Sequence, residues 1–246
     1  MKEVNKIHQM DCIKGMQEME SESVDCILTD PPYGIDYQSA WRIDTERFEK
    51  IGNDKMPFIW WLHEAFRVLK EGGTLACFCR WDVQESFLKA IEWAGFEVKS
   101  QIVWDRVVHG LGDLKGQFAP QHDVIWFAVK GEFEFRNGRP KSVLRYMRVA
   151  PEKLLHPNEK PIDLIRYLVR VLTSEQQIVL DCFMGSGTTA LACKHLNRKF
   201  IGFEINPDYI KISEERLKQK VLLTLEVNTQ EDDGLPPTPE GVGIRP

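Results

Sequence analysis

The chain has 246 residues, of which 43% are hydrophobic and 28% charged, and a formal net charge of −5. That is ordinary globular composition, long enough for one sizeable core or two small ones, and the overall acidity argues against a molecule coated in positive charge. No apolar run approaches the ~18 residues needed to cross a membrane, and Met1 to Gln9 has no apolar signal core, so the protein is expected in the cytoplasm. The cysteines Cys12, Cys26, Cys77, Cys79, Cys182 and Cys193 mostly sit in apolar runs without metal-ligand spacing. They are expected as buried thiols, with no metal site.

Taken in chain order, Asn5 to Asp11 reads as a short strand ending in an acid, and Ile13 to Met19 as a short helix. Val24 to Leu28 is an apolar run expected as a buried strand. It delivers the turn Thr29-Asp30-Pro31-Pro32-Tyr33-Gly34 at the strand's carboxyl end, where α/β sheets place ligands. Asp30 offers an acceptor, the prolines stiffen the turn, and Tyr33 offers a flat face. Read alone, the turn is equally a proline-stopped strand running into a loop. Ile35 to Lys55 is polar with scattered aromatics, which suits a lid, a substrate-contacting segment or a surface excursion.

The spacing of Leu62, Ala65, Phe66 and Leu69 predicts a helix over Pro57 to Lys70, ended by Gly72-Gly73. Thr74 to Cys79 then reads as a strand, Val83 to Ala94 as a helix closed by Gly95, and Glu97 to Trp104 as a strand. Such alternation implies a mostly parallel sheet. Past the glycine-rich stretch His109 to Gln121, Asp123 to Val129 is an apolar strand, and Gly131 to Arg139 reads as a turn into an antiparallel edge hairpin. Arg136 to Arg148 carries five basic residues and no acid. Its Arg136, Arg139, Lys141, Arg145 and Arg148 are candidate contacts to phosphates or base edges, or simply a solvated hairpin.

A helix follows Pro161, with Ile165, Leu168, Val169 and Leu172 as its buried stripe. Gln177 to Asp181 is a strand, followed by the glycine turn Phe183-Met184-Gly185-Ser186-Gly187-Thr188-Thr189. A helix then runs to about Asn197, Phe200 to Phe203 is a strand ending at Glu204, and Pro207 to Lys220 is a last helix. Strand, Asp181-x-Phe183-x-Gly185-x-Gly187, helix, strand, Glu204 is a nucleotide-binding layout. Glycines admit close backbone approach, the helix start favours an anionic group, and Glu204 is placed to accept from ribose hydroxyls. The turn lacks both the third glycine of a dinucleotide site and the Lys-Ser/Thr of a P-loop. A cofactor with adenosine but no phosphate fits, and S-adenosylmethionine is the expected one.

At this point the chain resembles a known family. Asp30-Pro31-Pro32-Tyr33 matches the D-P-P-Y of amino-group DNA methyltransferases, and Asp181-x-Phe183-x-Gly185-Ser186-Gly187-Thr188-Thr189 matches their methyl-donor motif. The catalytic motif comes first, and His156-Pro157 and Lys160-Pro161 precede the donor motif, which resembles the permuted β group. Val68-Leu69-Lys70-x-Gly72-Gly73 also fits. The resemblance spans roughly Ile7 to Leu217. It implies a Rossmann-like α/β methyltransferase fold with small target-recognition insertions. It also implies that Asp30, Pro31, Pro32 and Tyr33 are catalytic, with Tyr33 stacked on a flipped base. The cofactor residues it implies are Asp11 at the adenine, Phe183 lining the pocket and Glu204 at the ribose, with Cys12 and Ile205 as further cofactor contacts. Asp30, Asp181, Gly185, Ser186, Gly187 and Thr188 complete the cofactor set, and His156, Asn158 and Lys160 lie near the methionine end. Asn158 departs from the family's usual Thr or Ser.

The organisation expected is one methyltransferase domain over 1–222, with target recognition inside 35–55 and 106–150, and a disordered acidic tail over 223–246. The expected substrate is double-stranded DNA, methylated at adenine N6 after base flipping. A homodimer and a separate restriction nuclease are the protein partners considered, with no membrane. The competing readings are cytosine N4 transfer, RNA or protein-glutamine methylation, and a non-catalytic DNA-binding module. The chain has no Pro-Cys pair, so no covalent intermediate on a base carbon is expected.

Overall fold

The computed structural model describes residues 2–34, 57–110, 114–136, 138–150, 152, 154 and 159–218. The Ile35 to Lys55 segment, His156, Asn158 and the tail over 223–246 lie outside the described residues. The chain order is β1 (Lys6–Gln9), α1 (Cys12–Gln17), β2 (Val24–Thr29), α2 (Leu62–Val68), β3 (Leu69–Cys79), α3 (Gln84–Trp93), β4 (Glu97–Asp105), β5 (His122–Val129), β6 (Val143–Arg145), α4 (Ile162–Leu172), β7 (Ile178–Asp181), α5 (Thr188–His195), β8 (Lys199–Glu204) and α6 (Pro207–Lys218).

These strands form one eight-stranded sheet in the order β1-β8-β7-β2-β3-β5-β4-β6. Pairing is parallel from β1 through β3. It turns antiparallel at β5, which lies between β3 and β4. Strand side chains alternate between the two faces, and in β3 this sends Leu75, Cys77 and Cys79 to one core and Ala76 and Phe78 to the other. Helices α1, α2 and α3 cover the first face. Helices α4 and α5 cover the second, with α6 residues packed against it. The expected stripe of α4 is buried, and Leu164 joins it. All six cysteines are buried thiols.

Two local expectations are corrected. The helix expected over Pro57 to Lys70 is only Leu62–Val68. Leu69 already pairs with Val24, and Gly72-Gly73 lies inside β3 instead of ending a helix. The register of β2 and β3 slips between Val24 and Cys26, and Gly72 takes a left-handed φ of +74° while its N–H donates to the Lys130 carbonyl at 2.7 Å. A glycine pair inside a strand marks such an irregularity. Nor is the hairpin expected at Gly131 to Arg139 seen among its described residues. Phe133 and Phe135 pack on Phe127, with ring centroids 5.8 and 5.4 Å away. The chain then crosses to β6, which pairs parallel with β4. The antiparallel pair is built by the consecutive strands β4 and β5.

The topology brings the two motifs together. Strands β2 and β7 are neighbours, with Ile27 opposite Leu180. The proline turn leaves β2 after Thr29 and the glycine turn leaves β7 after Asp181. About 150 residues of chain separate them, yet adjacent strands lie only ~4.8 Å apart. The chain runs outward from β2 and returns through β7, so a crevice opens where its direction reverses.

Candidate active site

A cavity of about 500 Å³ occupies that crevice, lined by both turns, by the end of β8 and by the start of α1. Its size suits a small-molecule cofactor.

Asp30 stands on its wall. Tyr33 donates its hydroxyl to Asp30 Oδ1, and the Lys160 ammonium donates to Oδ2 in a largely buried ion pair. Lys160 Nζ also lies 5.1 Å from the centroid of the Phe78 ring. The carboxylate is therefore fixed in one orientation, with a lone pair left on each oxygen for a further donor. The Pro32 carbonyl accepts from the Phe58 N–H at 3.1 Å. Pro31 and Pro32 line the cavity, whereas Tyr33 does not. Tyr33 is only 6% exposed and meets Phe87 edge-on at 6.4 Å. Burial pushes its hydroxyl pKa well above the usual phenol value. In this placement the ring meets Phe87 edge-on and its hydroxyl is held by Asp30.

Among the candidate cofactor residues, Asp11, Cys12, Asp30, Lys160, Asp181, Phe183, Gly185, Ser186, Thr188, Glu204 and Ile205 line the cavity. Gly187 does not. Its φ of +81° and the 2.6 Å separation between a Cβ built there and Ser213 Cβ show why glycine is needed: it admits α6, not a ligand. Asp11 caps α1 by accepting from the Lys14 N–H at 3.1 Å. The Glu204 carboxylate accepts from the Gly185 and Asn206 N–H groups, each at 2.8 Å, so β8 fixes the shape of the glycine turn. Burial raises the Glu204 pKa against those hydrogen bonds. Phe183 is held edge-on by Phe58 and Trp61, at 5.9 and 5.6 Å.

Asp181 is a brace as much as a lining residue. Its Oδ1 accepts from the Thr29 hydroxyl at 2.7 Å and from the Phe183 N–H at 3.0 Å. Thr29 Oγ1 in turn accepts from the Cys182 N–H at 3.2 Å. These bonds tie the last residue of β2 to the last residue of β7. Burial lifts the Asp181 pKa from 3.8 to about 6, against hydrogen bonds from Thr189, Thr29 and Phe183. Between those values the folded chain holds a proton that the unfolded chain has released, so stability falls as pH rises through that window. Asp181→Asn keeps an acceptor and removes the titration. Urea unfolding at pH 4 and pH 7.5 is expected to show the variant gaining about 2–3 kcal/mol on the wild type between the two. An equal difference at both pH values rejects this account.

Two residues that local sequence signals did not single out matter here. Arg216 of α6 donates to the Ser186 carbonyl at 2.8 Å, to Ser186 Oγ at 3.0 Å and to Thr188 Oγ1 at 3.3 Å. It also pairs with Glu159 at 3.0 Å, where Glu159 is only 6% exposed. Arg216 thus clamps the glycine turn to the segment carrying Lys160. Glu159 stands beside Lys160, between the His156-Pro157 and Lys160-Pro161 pairs; nothing near Arg216 in sequence marked it.

The basic candidates divide. Arg136, Arg139 and Lys141 line a separate cavity together with Asp25, Gly72 and Gln177, at the amino ends of the parallel strands. Arg145 ends β6 opposite Asp105, at the edge that carries Asp30. Between them the chain crosses from one end of the sheet toward the other.

A proline turn and a glycine turn at adjacent strand ends, over one cavity and with an acid at the end of the next strand, define the class: an S-adenosylmethionine-dependent methyltransferase. The donor set suits that cofactor. The Glu204 carboxylate and the Phe183 ring suit a nucleoside, and among the described residues no Lys-Ser/Thr phosphate cradle follows the glycine turn. The chain belongs to the N6/N4 DNA methylase family, whose model matches residues 24–215. It is 32% identical over 229 residues to the type II methyltransferase M.HpaI of Haemophilus parainfluenzae, covering 83% of this chain and 71% of that one. It is 27% identical over 258 residues to the DNA adenine methyltransferase YhdJ of Escherichia coli (strain K12), covering 87% and 83%. Among solved structures, the M1.HpyAVI–SAM complex superposes with a TM-score of 0.68 at 25% identity, over 87% of this chain and 99% of that one. The cytosine-N4-specific PvuII DNA methyltransferase shares the fold, with a TM-score of 0.68 at 19% identity over 88% and 87%. The protein is a DNA methyltransferase. No helix among the described residues is long and apolar enough to cross a membrane.

Proposed function

We propose that the protein methylates the N6 amine of adenine in double-stranded DNA at a short recognition site. The observation carrying this reading is Asp30, held by Lys160 and Tyr33 on the wall of the cofactor cavity. The exocyclic amine of a base is a poor nucleophile because its lone pair is delocalised into the ring. Two acceptors that bond its N–H groups out of the ring plane restore that lone pair. The Asp30 carboxylate is one and the Pro31 carbonyl the other. S-adenosylmethionine supplies an electrophilic sulfonium methyl when bound. Orienting the amine toward it in line is the chain's main contribution, together with a water-poor wall of Phe58, Phe78 and Phe183. The target atom cannot be reached inside a duplex, so the base must swing out.

Adenine is preferred to cytosine because the turn opens with Asp30, and because the relative YhdJ is named a DNA adenine methyltransferase. Cytosine N4 is the second reading, since the fold is shared with a cytosine-N4-specific enzyme. The test is to incubate unmethylated genomic DNA with labelled S-adenosylmethionine, digest to nucleosides and identify the labelled base. N6-methyl-2′-deoxyadenosine is expected; label in N4-methyl-2′-deoxycytidine replaces the first reading with the second. Sequencing the same DNA for modified positions gives the recognition site. Target recognition is assigned to residues 106–150 near the carboxyl ends of the strands and to the 35–55 segment. A separate nuclease partner accords with the type II name of the relative M.HpaI.

A further inference from the structure

The connection from β4 to β5 leaves the sheet at the edge that carries Asp30. Thr29 pairs with Cys77, Cys77 with Trp126 and Trp126 with Gln101, so β4 and β5 run on four residues past the end of β2, to Asp105 and His122, at the same end of the sheet. Strands β5 and β4 are two and three places from β2, roughly 10–15 Å at ~4.8 Å per strand.

The stem of this loop is braced. The Arg106 N–H donates to the Gln121 carbonyl at 2.9 Å and the Gly110 N–H to the Pro120 carbonyl at 2.7 Å. The Arg106 guanidinium donates to the Pro120 carbonyl at 2.8 Å. The Asp105 carboxylate accepts from the Val107 N–H and the Gln121 amide, at 2.8 and 2.9 Å. Two residues beyond this stem's reach, Phe118 is 98% exposed. A bare phenyl ring forgoes most of the burial free energy available to it, so a braced loop presenting one needs a reason. Leu114 of the same loop is 79% exposed, and Trp81 and Met147, on connections leaving β3 and β6 at that edge, are 49% and 61% exposed. Lys115 belongs to the same loop and Arg145 ends β6 at the same edge, a mixture that suits a polyanion whose interior is apolar. Exposed apolar side chains at one end of a sheet suit an interaction site.

We infer that Phe118 is a wedge residue, entering the DNA stack and filling the space left by the target base when it swings toward Asp30. This rests on the assignment of a DNA base as substrate. Apolar side chains inserted between base steps stabilise unstacked DNA in other settings, and flipping carries an unstacking cost that is smallest for a mispaired base. The stem's standing two and three strands from β2, and four residues past its end, suits a base that leaves the duplex while the rest of the helix stays outside the cavity. Phe118 is the better wedge than Leu114 because it adjoins the Pro120 clamp, which fixes its origin.

The experiment uses the full chain and duplexes bearing the mapped site, with the target base normally paired or opposite an abasic position. Phe118→Ala is expected to lower kcat/KM about 10- to 100-fold on the paired duplex and less than about threefold on the abasic one. Phe118→Trp is expected to keep most activity on both. With 2-aminopurine at the target position, the fluorescence rise on binding is expected to shrink in Phe118→Ala. Phe118 is too exposed for its loss to unfold the chain, and unchanged S-adenosylmethionine affinity checks this. Wild-type kinetics on the paired duplex overturn the inference, as does an equal loss on both duplexes, which marks a plain docking contact. A change of oligomeric state on gel filtration that accompanies the loss also overturns it, because the ring then serves a second copy of the chain. Failure of the functional reading looks different: the wild type itself transfers no methyl group to any duplex.

Discussion

Asp30→Ala is expected to lower methyl transfer by at least about 10³-fold while S-adenosylmethionine affinity stays within about threefold, the scale seen when a positioned transition-state group is removed. The carboxylate is the charged acceptor on the cavity wall that the glycine turn does not itself supply, and its two oxygens are already oriented by Tyr33 and Lys160. The Ala variant also deprives Lys160 of a largely buried ion-pair partner, so it is expected to lose stability as well. Asp30→Asn separates the two effects. It keeps the volume and one acceptor oxygen but gives up the charge, so turnover is expected to fall nearly as far while the unfolding midpoint moves less. Label transfer to site-bearing duplex, calorimetric cofactor titration and thermal unfolding measure the three quantities. Turnover above a tenth of wild type in either variant removes Asp30 from the chemistry.

The legible part of this protein was the part encoded by local pattern. Apolar runs such as Val24 to Leu28 and the 3.6-residue stripe of α4 report burial directly, and both elements stand where the pattern put them. The two turns were legible because proline and glycine restrict or free the backbone in ways few other residues do. What stayed hidden depends on contacts distant in sequence. The Gly72-Gly73 pair reads locally as a helix stop, and only the pairing of Leu69 with Val24 reveals a strand irregularity. Gly187 reads as room for a ligand until α6 is seen against it. Tyr33 reads as an offered ring until Phe87, 54 positions later, is found packed edge-on to it. The basic run from Arg136 to Arg148 reads as one patch because sequence spacing carries no information about which end of the sheet a crossing segment has reached. Arg216 was invisible for the same reason: a lone arginine on a terminal helix is ordinary until it is seen holding the glycine turn.

Glu204→Ala is expected to raise the dissociation constant for S-adenosylmethionine about 100-fold, or about 2.8 kcal/mol. Two losses combine in that figure. One is the charged acceptor for the ribose hydroxyls, where hydrogen bonds to an ionised group are worth about 1.5–3 kcal/mol. The other is the tie between β8 and the glycine turn, since the Gly185 N–H donates to Glu204 Oε2 at 2.8 Å. Glu204→Gln keeps the length and one acceptor, so it preserves either the tie or the ribose contact but supplies no charge. It is expected to weaken binding by about tenfold. Because the residue ends β8, two strands from the β2 end that carries the amine-binding turn, kcat at saturating cofactor is expected to stay within a few-fold in both variants, with KM for the cofactor carrying the change. This split separates Glu204 from Asp30, whose loss must appear in kcat. Calorimetric titration and steady-state kinetics on the mapped duplex measure it. A Glu204→Ala protein that binds the cofactor as tightly as wild type leaves the carboxylate a structural tie alone, and moves the ribose site to another part of the cavity.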